Sequence, residues 1–107
     1  MYHPNFISRK AIPIDLTKVE RHEVSLGNLD LYLEDVCVGH DVHEYHAKFI
    51  LEGAEQRYKT IKKWKSEKEA QREFGNIVTR IENGEYRLHV YSNGNVELKL
   101  LQPTNPV

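Results

Sequence analysis

The stretch SEKEAQREFGNIVTRIENG, running from Ser66 to Gly84, carries the strongest structural signal in the chain. Ser66-Glu67-Lys68-Glu69 is a capping box. The Ser66 hydroxyl is placed to accept from the Glu69 amide, and the Glu69 carboxylate to reach back. Ala70, Phe74, Ile77 and Ile81 follow at spacings of four, three and four, which puts them on one helical face. Glu67 and Glu69 sit at the positive end of the helix dipole and Arg80 at the negative end. Gly84, after Asn83, is placed to end the helix in the left-handed region. These features predict a helix over about 66–83, with one narrow apolar stripe laid on a sheet. Gly75 interrupts it at a cost of about 1 kcal/mol relative to Ala.

Beyond the helix, Tyr86, Leu88 and Val90 alternate with Arg87, His89 and Tyr91, and Val96, Leu98 and Leu100 alternate with Glu97 and Lys99. Asn93-Gly94 favours a two-residue loop, but that loop pairs Val90 with Glu97 and Leu88 with Lys99. A three-residue loop, Ser92-Asn93-Gly94, pairs Tyr91 with Asn95, Val90 with Val96, Leu88 with Leu98 and Tyr86 with Leu100. Six apolar side chains then share a face, each contributing about 1.5–3 kcal/mol when fully buried, which outweighs one dipeptide preference. The expectation is the bulged three-residue loop with Gly94 at positive φ.

Upstream of the helix, Tyr45, Ala47, Phe49 and Leu51 alternate with polar residues, and 57–65 reads as a strand rich in lysine and aromatics. Val24 and Leu26 before Gly27-Asn28, with Leu29, Leu31 and Leu33 after, suggest a tight hairpin pairing Leu26 with Leu29 and Val24 with Leu31. The apolar set then shifts to Val36 and Val38, implying a bulge near Asp35. A turn over residues 39–42 sets Val38 against His43 and Val36 against Tyr45. Ile12, Ile14 and Leu16 around Pro13 read as an edge strand. Residues 1–10 and 102–107 lack a core-forming pattern and are expected to be loose ends. The fold expectation is a single α+β domain over 1–107. It comprises an antiparallel sheet of about five to seven strands, one long helix on one face, and a C-terminal hairpin.

Fifteen Lys and Arg nearly balance sixteen Asp and Glu, and the net charge of −1 argues against a dedicated polyanion binder. The single cysteine, Cys37, permits no internal disulfide and suits a reducing compartment. The start shows no basic region followed by an apolar run, so no secretory signal is expected. Uninterrupted apolar runs are far short of the roughly 20 residues of a membrane span. These points indicate a cytoplasmic protein.

Three clusters bear on function. Cys37, His40 and His46 combine soft ligands suited to zinc. With the turn at 39–42, Cys37 and His46 share one face and His43 takes the other. The plain reading is a polar turn, and the spacing matches no standard zinc module. Arg57, Tyr58, Lys59, Lys62, Lys63, Trp64 and Lys65 place cations among aromatics, as a single-strand nucleic-acid groove does. The plain reading is an edge strand whose lysines discourage aggregation. Tyr32, Arg87, His89 and Tyr91 fall on outward positions and read as a protein-binding surface. No nucleophile motif or phosphate-cradling glycine loop stands out. The sequence therefore reads as a non-enzymatic binding or accessory protein without cofactor. It would work through the exposed sheet face on a protein partner or as a homodimer. The alternatives are a nucleic-acid accessory factor using 57–65 and a metal-dependent or thiol enzyme around Cys37, His40 and His46.

Overall fold

The computed structural model describes residues 5–14, 19–20, 27–52, 58–91 and 95–101. The helix, α1, spans Glu67–Glu82. Its N-cap is Ser66, whose Oγ accepts from the Glu69 amide at 3.3 Å. At the other end the Gly84 amide donates to Ile81 O and the Glu85 amide to Arg80 O. With Gly84 at φ 79° this is a Schellman closure, in which the left-handed glycine turns the chain without a Cβ clash. Ala70, Phe74, Ile77 and Ile81 are its buried residues, as the stripe requires.

The helix packs on a four-stranded antiparallel sheet ordered β1-β3-β4-β5: β1 (Asn5–Pro13), β3 (Asn28–Gly39), β4 (Val42–Leu51) and β5 (Lys59–Trp64). A three-stranded sheet contains β2 (Val19–Glu20), β6 (Tyr86–Val90) and β7 (Val96–Leu100), ordered β2-β6-β7. β2 runs parallel to β6, with Val19 opposite Leu88 and Glu20 opposite His89. Leu29, Leu31, Leu33, Ala47, Phe49, Leu51 and Trp64 from the larger sheet join the helix stripe and Tyr86, Leu88, Val90 and Val96 in one hydrophobic cluster. The antiparallel sheet, the helix and the C-terminal hairpin make this an α+β fold.

The final hairpin has the expected register. Val90 faces Val96, Leu88 faces Leu98, Tyr86 faces Leu100, and the Tyr91 amide donates to Asn95 O at 2.8 Å. Gly94 lies outside the described residues. Pro13 ends β1, an edge strand, as a residue without an amide proton favours.

Four expectations are corrected. Residues 5–10 are not a loose end, because they pair with β3 from Asp35 to Leu31. Their side chains alternate too weakly to show this, and the pairing is non-local. Gly27-Asn28 is not a hairpin loop. At Leu29 and Leu31 both edges of β3 are occupied, by Ile12 and Lys10 of β1 and by Leu51 and Phe49 of β4. No edge remains for Leu26 or Val24, which lie outside the described residues. The irregularity expected near Asp35 falls instead on the neighbouring strand, between Phe6 and Ser8. β3 runs unbroken past Asp35 against β4 and is buried on both faces, so its apolar pattern loses period two. The β3–β4 turn is also tighter than expected. Gly39 pairs with Val42 around His40-Asp41, Asp41 takes φ 57°, and the extra residue is absorbed between Cys37 and Gly39.

Candidate functional site

That one-residue difference rearranges the histidine cluster. Cys37 pairs with His43, Asp35 with Tyr45 and Glu34 with His46. Opposed residues share a face and neighbours along a strand alternate. Cys37, His43 and Asp35 therefore lie on one face and His46 on the other, reversing the expected grouping. His43 Nδ1 is 2.6 Å from Asp35 Oδ1, and the Cys37 thiol donates to Gly39 O at 3.0 Å. His40 stands at the turn, fully exposed, 3.5 Å from Asp41. His46 is buried, with Nε2 3.0 Å from Glu44 Oε1. The hydrogen bond from His46 holds the Glu44 carboxyl below the usual range, helped by the charges of Lys63 and Lys65. Cys37, His40 and His46 thus do not converge. Among the described residues no three His, Cys, Asp or Glu side chains form a metal-holding group.

Tyr32 leaves the expected binding surface. It belongs to β3, in the other sheet from Arg87, His89 and Tyr91, and is 4% exposed. Phe6 covers it at 4.4 Å between ring centroids, Tyr58 meets it edge-on at 5.0 Å, and the Arg9 guanidinium lies 5.4 Å from its centroid. Burial, then the hydrogen bond with Tyr58, pushes its hydroxyl up to about 12. Beside it, Lys48 Nζ pairs with the buried Glu34 carboxylate at 2.5 Å. Phe6 was invisible as a site residue because its segment has no period.

The basic segment is split by burial. Lys62, Lys63 and Lys65 are exposed on or beside edge strand β5, and Lys59 is half-buried. Trp64 is 6% exposed and part of the core, with the Lys62 ammonium 5.7 Å from its ring centroid. Tyr58 is engaged with Phe6 and Tyr32. Trp64 therefore offers no free face for base stacking, whereas Tyr58, though held edge-on by these rings, is 42% exposed. Arg57 lies outside the described residues.

The outward face of β6 and β7 assembles as the alternation implies. Tyr86, Leu88 and Val90 are buried, Arg87 and Tyr91 are exposed, and His89 is intermediate. Arg87 lies opposite Lys99, and His89 opposite Glu97. The Tyr91 ring meets the His89 ring at 4.3 Å and 62°, and its hydroxyl donates to Glu97 Oε2 at 2.8 Å. Arg87 donates to Tyr86 O at 3.0 Å. Glu97 and Lys99 complete this surface. Their alternation puts them outward in the sequence, but only the cross-strand pairing shows Glu97 holding Tyr91.

Compared with protein-family models, curated proteins and solved structures, the chain matches none. Among the described residues no helix is long and apolar enough to cross a membrane.

Proposed function

We propose that the protein is a small non-enzymatic binding or accessory protein of the cytoplasm. It works through the outward face of β6 and β7 on a protein partner, a second copy included. The observation that supports this best is Tyr91. It is 42% exposed, yet its ring rests on His89 and its hydroxyl on Glu97. A held aromatic ring loses little freedom on binding and offers both apolar area and a polar tip, which is why tyrosine is enriched at interfaces. Arg87, on the same face beyond His89, supplies a cation with planar, directional donors. An exposed cysteine without a disulfide partner fits a reducing cytoplasm.

The test is cross-linking of the native protein in its own cells with mass spectrometry, alongside its solution mass by sedimentation. The expected result is cross-links from Lys99 to a partner or to a second copy, lost in both Tyr91→Ala and Arg87→Glu while the circular dichroism spectrum stays unchanged. Association that maps elsewhere, or survives both substitutions, overturns the reading.

A further inference from the structure

The free end of the β3–β4 hairpin carries a group that the binding face does not use. Cys37 and His43 are direct cross-strand partners on one face. The Cβ atoms of such a pair lie about 4.5–5.5 Å apart. That spacing lets sulfur and imidazole nitrogen ligate one ion at about 2.3 and 2.0–2.1 Å. Asp35, two residues along on the same face, holds His43 Nδ1 at 2.6 Å. A carboxylate on one ring nitrogen is the usual companion of a metal-bound histidine, because it fixes the ring and leaves the other nitrogen to coordinate. His43 Nε2 has no hydrogen-bond partner among the described residues, and its side chain is 44% exposed. The Cys37 thiol is exposed, and its bond to Gly39 O breaks when the thiol deprotonates to ligate.

This chain supplies two ligands where zinc takes four. His46 is on the far face, and no third donor stands near enough among the described residues. We infer that Cys37 and His43 of two copies together bind one zinc ion. The result is a tetrahedral Cys2His2 centre on a two-fold axis, the symmetry in which one patch meets its own copy. Every residue from Cys37 to His43 is exposed, so the hairpin end is open to a second copy. This surface is separate from the β6–β7 face and does not depend on that proposal.

The experiment uses the full chain without an affinity tag, in a phosphine reductant that prevents disulfides. Sedimentation mass and bound metal are measured in chelator and then with zinc chloride. The expected result is that zinc doubles the mass found in chelator, with roughly one zinc retained per two chains. Cobalt in place of zinc shows sulfur-to-metal charge transfer and tetrahedral ligand-field bands. Cys37→Ser and His43→Ala keep the chelator mass in zinc, with unchanged circular dichroism, since both side chains are exposed. Asp35→Asn raises the zinc concentration required by about 10–100-fold, and His40→Ala changes nothing. An unchanged mass in zinc, a zinc-dependent doubling that survives Cys37→Ser, or a doubling seen only without reductant each overturns the inference.

Discussion

Gly75 sits on the exposed side of α1 with open space where a Cβ would stand. No neighbour needs its missing side chain, and its φ is not left-handed. Gly75→Ala is therefore expected to stabilise the fold by about 0.5–1 kcal/mol, through helix propensity and a less disordered unfolded chain. A urea titration checks this: the midpoint rises with an unchanged slope, and a fall in midpoint contradicts the open space. Tyr32 makes the opposite kind of statement, about a side chain that is fully engaged. Its folded pKa of about 12 lies above the ordinary value of 10.0. The fold thus favours the neutral phenol. The stability linked to that preference is complete below pH about 10 and is lost as pH rises toward 12. Against Tyr32→Phe, which cannot ionise, the wild-type stability difference should stay constant up to pH about 10 and then turn against the wild type. Urea midpoints of both proteins from neutral to alkaline pH give the answer, and a flat difference above pH 10 contradicts the shift. The outward alternation of Tyr32 was legible in the sequence. Its burial was not, because the covering rings come from Phe6 and Tyr58, both distant in sequence.

At the scale of elements, legibility follows locality. The cap at Ser66, the stripe and Gly84 lie within one continuous stretch, so start, register and end of α1 could all be read directly. Phe74 is 5% exposed at the middle of that stripe. Phe74→Ala should cost about 3–5 kcal/mol in a denaturant titration, and a loss below about 1 kcal/mol contradicts its burial. The β6–β7 register was legible for a related reason. Only one loop length puts all six apolar side chains together, and Tyr91 pairs with Asn95 as that length requires. β3 offered no such constraint. With Leu31, Tyr32, Leu33 and Glu34 all buried, neither face is marked by polarity. A one-residue slip at the turn then becomes invisible, and it decided which histidine stands beside Cys37. The Gly27-Asn28 signal failed because a local turn preference competed with β1, a strand paired from outside the window in which the signal was read.

For the whole molecule, charge placement bears on the nucleic-acid alternative. The chain carries a net charge of −1, and the lysines of β5 occupy a sheet edge whose nearest acids belong to the same protein. Lys63 and Lys65 act on the Glu44 carboxylate, and Glu67 and Glu69 open the helix directly after Lys65. A binding groove needs an uncompensated positive track, and this one is partly neutralised along its length. It also needs several exposed ring faces, and here Trp64 fills the core against the helix, leaving Tyr58 as the exposed ring of the segment among the described residues. Lysines on an edge strand have a sufficient role without any ligand, since they oppose edge-to-edge association. The full chain should therefore bind a fluorescent single-stranded oligonucleotide no tighter than the range of about 1–100 µM typical of non-specific contacts at physiological salt. Any residual binding should weaken with salt by a slope of about −0.7 per phosphate contacted. Lys62 and Lys63, both exposed on edge strand β5, give the informative variant. Lys62→Glu with Lys63→Glu should abolish residual binding and leave the fold intact, because both side chains are exposed. Trp64→Ala is not a test of stacking. Removing a core indole costs about 3–5 kcal/mol, so any loss of binding would report unfolding. Sub-micromolar affinity at physiological salt, lost in the double lysine variant with an unchanged circular dichroism spectrum, would place the working surface on β5 and away from the Tyr91 face.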